Sequence, residues 1–313
     1  MLKIKMPKKE IHFMGLLANT DSSILNVKLD HGFKIYALTD REGFTLISIF
    51  EGLPPMEIGR KLFMDFHCLS DKKLYYIGNS FESDIEMNNE GVLTSFPSEV
   101  AKFDNELIHG YLNPVIRLMR LFKEGNICMP LKYYYFVDNN IPKSFMTMGT
   151  HLYISPEVYT LESFKIADLQ RFLRNTKLPF KESFLQLAFE NFELSYQTHN
   201  INLSFLSLMI SLETLFNPGG QELRYRVARN TAILLGKDRE DSKKIFSEIK
   251  GLYDKRSNIV HTGKLNIINK EDLLKLRHYV RESIKEINKI GKSKDELLDL
   301  LNSCGFGERA WTK

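Results

Sequence analysis

The apolar residues change their period about halfway along the chain, so no fold built on one repeating pattern can hold both halves. From Ile11 to Gly78 they come in short runs, IHFMGLLA, ILNVKL, FKIYAL, FTLISIF, LFMDFHCL and KLYYIG, separated by turn-formers such as NTDSS, DHG, TDREG and EGLPP. Runs of that length between turn residues predict strands of an antiparallel sheet or small barrel. Residues 99–123 predict a helix that Pro114 must kink or split, because proline lacks the N–H and crowds the preceding turn. LKYYYFV (131–137) and HLYIS (151–155) return to strand.

From Leu161 onward the spacing is helical, with segments expected near 162–174, 181–198, 201–216, 221–236, 241–261, 270–290 and 294–303. NPGGQ (217–221) predicts a helix stop followed by a new start. INLSFLSLMISLETLF is apolar on nearly every side and predicts the central buried helix of a bundle. The expected class is therefore α+β: a β-rich domain over 1–160, then an all-α domain over 161–313.

Composition narrows the function classes. A formal charge of +4 on 313 residues is far from the load of a protein that coats nucleic acid or membrane by charge alone, so any RNA contact must be local. Cys68, Cys128 and Cys304 lie far apart with no CxxC pair, which builds neither a disulfide framework nor a zinc knuckle and fits a reducing cytoplasm. MLKIKMPKKE has no signal-like apolar core, and no run of about 18 apolar residues occurs. The chain is expected to be cytoplasmic, without a membrane partner, metal or cofactor.

The stretch that bears on chemistry is LYDKRSNIVHTGK, residues 252–264. Ile245, Ile249, Leu252, Ile259 and Val260 form the core stripe of its helix, and Arg256 falls on that same stripe, four residues past Leu252. A guanidinium there needs an anionic partner, a bound phosphate or a wet crevice. Within the chain, Glu213 and Asp254 are the candidate partners. His261 lies about 140° further round a regular helix, so the two side chains diverge unless the helix loosens. Gly263 is a natural cap glycine, and the last turn is expected to tighten or end around His261.

The passage from FLSLMISLETLF through ELRYRVARNTAILLG to IKGLYDKRSNIVHTGK, about residues 180–290, resembles the ApeA-like branch of the HEPN superfamily, whose signature is R-x4-6-H near the end of a helix. The resemblance implies a helical, metal-independent endoribonuclease, often in host defence against phage, that works as a homodimer on RNA. It implies Arg256 and His261 as catalytic residues. Ser257 stands where many members carry Asn, Asp or His, with Asn258 available to substitute and Glu213 supporting Arg256. Arg224, Arg226, Arg229, Lys255 and Lys264 are the candidate RNA contacts, and the first domain would receive a trigger ligand or protein. Some members lack nuclease activity, so the alternative is a non-catalytic module that binds RNA or a protein partner.

The chemistry suits the residues. RNA carries its own nucleophile in the 2′-OH, and cleavage needs a base, an acid and positive charge on the developing phosphorane. A two-fold dimer with the two motifs face to face offers two histidines and two arginines in one cleft. Elsewhere, KIGKS (289–293) ends like a phosphate-binding loop, but Glu286 stands in place of its first glycine. DRED and SDIE read as solvated charge. Arg277, Arg281 and Lys285 form an i, i+4, i+8 stripe that would either track a phosphate backbone or line a solvated face.

Overall fold

The computed structural model describes residues 4–5, 8–87, 97–149, 157–217, 219, 222–263 and 266–308. The expected strand 151–155 and Lys264 lie outside the described residues. The chain divides into two compact units, Met1–Thr176 and Lys177–Lys313. Mixed α+β is the class: an antiparallel sheet in the first unit, helices throughout the second.

The first unit contains β1 (Ile4–Lys5), β2 (Lys9–Ala18), β3 (Lys34–Thr39), β4 (Leu69–Ser70), β5 (Lys73–Ser83), β6 (Glu86–Met87), β7 (Cys128–Asp138) and β8 (Ile141–Gly149). The main sheet runs β3-β5-β2-β7-β8 with β4 beside β5, and β1 pairs β6 separately. Its order does not close into a barrel. Period-two alternation sends Ile11, Phe13 and Leu17 of β2 to one core and Met14, Leu16 and Ala18 to another. Both faces of the sheet centre are covered, which is why β2 reads as an almost unbroken apolar run.

Two expected strands are helices instead. FTLISIF lies in α1 (Asp40–Glu51) and LFMDFHCL begins in a π-wound turn, Lys61–Asp65, that continues α2 (Pro55–Arg60). The first three residues of the expected ILNVKL strand, Ile24 to Asn26, lie in a 3-10 turn, Ser22–Asn26. The start signal of α1 is a capping box: Thr39 Oγ1 accepts from the Glu42 amide, and the Glu42 carboxylate accepts from the Thr39 amide. Pro55 sits at the first position of α2, where its missing N–H costs nothing. These helices bury Ile47, Ile58 and Leu62 on the Met14 face of the sheet.

The opposite face is covered by α3 (Ser98–Phe103), a π-wound stretch Asp104–Leu112, and α4 (Asn113–Phe122), which run on without a break in winding sense. The chain takes up Pro114 by widening the turns ahead of it, where its ring would crowd an α-wound carbonyl. At the head of the wide stretch, the Asp104 carboxylate accepts from Lys132 Nζ (2.7 Å) and the Tyr134 hydroxyl (2.6 Å) and lies 3.1 Å from His109 Nε2. It pins the helical layer to β7. The expected helix 162–174 is α5 (Ile166–Asn175), and it belongs to the first unit: Leu169 is buried in that core and Phe172 packs on Phe122 at 5.6 Å. The division therefore falls after Thr176, later than the expected 160/161 boundary.

The second unit comprises α6 (Ser183–Leu194), α7 (Ile201–Phe216), α8 (Leu223–Leu235), α9 (Arg239–Thr262), α10 (Lys270–Ile290) and α11 (Lys294–Asn302). α7 is the central helix and packs against α6, α8, α9 and α10, with Phe205, Leu208, Leu212 and Phe216 fully buried. Small residues let α6 come close, and Ser211 Oγ donates to the Ala188 carbonyl at 2.8 Å. Arg277 and Arg281 neither track a backbone nor face solvent, because both are buried against the end of α6. Arg277 donates to Ser195 O (3.1 Å) and lies over the Tyr196 ring (4.1 Å), and Arg281 donates to the Tyr196 hydroxyl (3.0 Å). Arg277 satisfies a carbonyl at the end of α6, and both cations suit the dipole there. KIGKS is the end of α10, capped by Gly291. Among the described residues, no helix is long and apolar enough to cross a membrane.

Asp104 supplies a prediction. Burial pushes its carboxyl upward, but hydrogen bonds from Lys132 and Tyr134 and the nearby positive charge outweigh that and hold it below the usual value. A carboxyl with a lowered folded pKa stabilises above its unfolded pKa and loses that contribution as pH falls through the folded value. Asp104→Asn should cost about 1–3 kcal/mol at pH 7 in urea unfolding. The gap from wild type should close as the pH drops below roughly 4.

Candidate functional site

α9 starts on Asp238, whose side chain accepts from the Asp241 amide, and runs without interruption to Thr262. Gly263 then caps it at φ 65°, a left-handed conformation that favours glycine. The helix ends one residue past His261 and stays α-wound through it. The end near His261 and the Gly263 cap are as expected, and because the helix stays regular up to that end, Arg256 and His261 of one chain leave α9 about 140° apart.

On the core side, the Arg256 Nε lies 3.4 Å from Glu213 Oε1 of α7. Both side chains are largely but not fully enclosed, 24% and 16% exposed. That oxygen is buried and has no well-aligned hydrogen bond, so the guanidinium charge is what compensates it. The Arg256 guanidinium also sits 5.7 Å from the Tyr253 ring centre. Burial, and then the Glu213 carboxylate, push the Tyr253 phenol up to about 12. Of the two candidate partners, Glu213 takes Arg256, while Asp254 pairs with Arg224 of α8 at 2.5 Å. Tyr253, one turn before Arg256, reads in the sequence as an ordinary core aromatic; only the i, i+3 spacing to Arg256 hints at its place in this cluster.

On the other side of α9, His261 is exposed. Ser257, partly exposed, precedes it by one turn on nearly the same face, and exposed Asn258 lies about 60° beyond. The Asn258 carbonyl accepts from Thr262 Oγ1 at 2.6 Å, which closes the last turn. Asp254 is seven residues before His261, about 20° off its direction, so the exposed Arg224–Asp254 pair stands on the His261 side roughly 10 Å down the helix. Ser257 thus lies between the Arg256 and His261 directions. Arg226 is exposed and makes no ion pair among the described residues.

Two expected RNA contacts are occupied elsewhere. Arg229 donates to Leu301 O (3.2 Å) and Cys304 O (2.8 Å), capping α11. Lys255 bonds Asp272 at 2.6 Å, and Asp272 also closes the capping box of α10. Arg229 sits where a helix C-terminus attracts a cation and Lys255 is drawn to the acidic cap of α10, demands that spacing along one helix does not reveal. Among the described residues, no group of three or more His, Cys, Asp or Glu side chains is placed to hold a metal ion. No protein-family model, curated protein or solved structure matches the chain.

The two sides of α9 predict different mutant behaviour. Arg256→Ala strands the buried Glu213 oxygen and should cost about 1–3 kcal/mol in denaturant unfolding. His261→Ala, on an exposed turn, should stay within about 0.5 kcal/mol of wild type. Arg256→Ala together with Glu213→Gln should recover much of the first loss, since the stranded charge is gone.

Proposed function

We propose that the helical unit is a HEPN-type domain of the ApeA-like kind and acts as a metal-independent endoribonuclease, with Arg256 and His261 from two copies of the chain forming one composite cleft. The observation that carries this reading is the placement of His261: an exposed imidazole on the capped last turn of a helix whose arginine, five residues earlier, is held at the surface edge of the core by Glu213. In one copy the two groups point apart, so a second copy must complete the set.

The helix faces beside the ion pair support such pairing. Leu203 and Ile210 of α7 are 54% and 46% exposed, and Glu213 follows Ile210 by one turn. Val260, 49% exposed, follows Arg256 by one turn on α9. Apolar side chains left open on both helices, next to the residues that would share a cleft, suit an isologous contact.

In such a cleft the 2′-oxygen attacks the adjacent phosphorus, its proton passing to His261 of one copy, and that imidazolium then protonates the departing 5′-oxygen. The P–O5′ bond breaks and a 2′,3′-cyclic phosphate remains. Arg256, fixed in direction by Glu213, would neutralise the charge that builds on the phosphorane oxygens. Ser257 and Asn258 flank His261 and can hold the sugar or the imidazole, and Arg224 and Arg226 offer phosphate contacts on its side of α9. The first unit is read as the sensing or regulatory part, and cytoplasmic host defence as the setting.

One observation favours the alternative, a non-catalytic module that binds RNA or a protein: the engagement of Arg256 by Glu213 and Tyr253 is also what a purely structural arginine would show. Incubation of the purified chain with unstructured RNA in excess EDTA separates the two. Wild type should cleave and leave cyclic phosphate ends, and His261→Ala should lose about 10²–10⁴-fold in rate at unchanged fold. Equal cleavage by His261→Ala would rule out the nuclease reading.

A further inference from the structure

Among the described residues, the sheet of the first unit leaves part of one face open. α1 and α2 cover the end of the Met14 face that carries Leu16, Leu74 and Leu131. The other end forms a cleft of about 270 Å³ whose lining includes His12, Lys34, Tyr36, Tyr76, Gly78 and Tyr135. Strand register places these residues in three rows. Tyr36 lies opposite Tyr76, Lys34 opposite Gly78 and then Met14, and His12 opposite both Ser80 and Tyr135.

Gly78 lies under the edge of one aromatic wall. A Cβ there would come within 2.9 Å of the Tyr36 ring and 3.3 Å of the Tyr76 ring, so the glycine is what lets these rings lean over its row. One wall is Tyr36 stacked on Tyr76, ring centres 5.2 Å apart and 22° from parallel; the other is His12 stacked on Tyr135 at 5.1 Å and 28°. The hydroxyls of Tyr36, Tyr76 and Tyr135, and both His12 ring nitrogens, make no hydrogen bond among the described residues. Lys34 is exposed and makes no ion pair among them. Burial, and then the neighbouring Tyr135 and Tyr36, push the Tyr76 phenol up to about 12, so its hydroxyl stays a protonated donor at neutral pH. Glu10, close enough to raise Tyr135, lies beyond the His12 row and disfavours an anion at that end.

From this arrangement we infer that the cleft binds a nucleobase carrying a phosphate, with the base between the Tyr36–Tyr76 and His12–Tyr135 pairs and the phosphate at Lys34. Flat rings with unpartnered donors and acceptors recognise a planar heterocycle by stacking and edge hydrogen bonds, and a lone ammonium at one end suits a single phosphate. The volume lies just under the usual range for small-ligand sites, which begins near about 300 Å³, and fits one nucleotide rather than two. The ligand would be a free mononucleotide or one nucleotide of single-stranded RNA. The inference gives the first unit its own ligand and does not rest on the nuclease reading of the second.

The test is calorimetric titration of the full chain with the four 5′-ribonucleotides, adenosine, ribose 5-phosphate and oligouridylate, the last in the His261→Ala background so that no cleavage consumes it. At least one nucleotide should bind saturably, and ribose 5-phosphate should bind much more weakly. Tyr36→Ala, at an exposed ring on the edge strand, should weaken nucleotide and nucleoside alike by about tenfold or more. Lys34→Gln should weaken the nucleotide and leave adenosine unchanged. Circular dichroism melting checks that both variants fold. Tighter binding of oligouridylate than of uridine monophosphate identifies RNA as the source, and the reverse identifies the free nucleotide. The inference is overturned if no base-containing ligand binds, if ribose 5-phosphate binds as well as a nucleotide, or if folded Tyr36→Ala and Lys34→Gln bind like wild type.

Discussion

The ion pair between Arg256 and Glu213 sets the geometry on which the candidate site depends. A guanidinium on the buried stripe of α9 is costly unless a carboxylate meets it, and Glu213 of the central helix α7 does so at 3.4 Å. That contact fixes the rotation of α9 against α7. Because α9 remains a regular helix to Thr262, the rotation also fixes where His261 points: outward, about 140° away from the arginine. The same constraint that stabilises the bundle keeps the two groups apart within a chain.

This separation is what makes a second copy necessary to the proposed chemistry. Arg256 stays near the surface edge beside open apolar residues of α7 and α9, while the His261 side carries Ser257, Asn258 and the Arg224–Asp254 pair. A two-fold contact over Val260 and Ser257, whose directions on α9 lie between those of the arginine and the histidine, would put four functional groups around one phosphate, each held by its own bundle. Arg229 and Lys255 are engaged within the bundle, Arg229 by carbonyls at the end of α11 and Lys255 by the capping carboxylate of Asp272.

Helices of the second half were legible because their apolar spacing, glycine caps and length all agree; expected and observed segments match closely from α6 to α11. In the first half, short apolar runs left strand and helix open, and local chemistry at the ends decided between them. The Thr39–Glu42 capping box and the Pro54–Pro55 start were the signals for α1 and α2, and they outweigh the strand-like look of FTLISIF. Arg256 was legible as an anomaly on its stripe, and Glu213 as a possible partner. The burial of Arg277 and Arg281 was not, since it depends on the end of α6 arriving from about 80 residues earlier in the chain. The extent of the first domain was missed for a similar reason: α5 reads as one more helix of the bundle, but Leu169 and Phe172 find their packing on the sheet domain's own helix.

A mixing experiment tests the composite site most directly. Arg256→Ala and His261→Ala proteins, each inactive alone, are combined under conditions that allow subunits to exchange, and RNA cleavage is followed in excess EDTA. Mixed dimers keep one arginine and one histidine, so the account predicts that cleavage reappears on mixing and scales with the fraction of mixed dimer. Inactivity of the mixture despite demonstrated exchange, or full activity of either variant by itself, would contradict it.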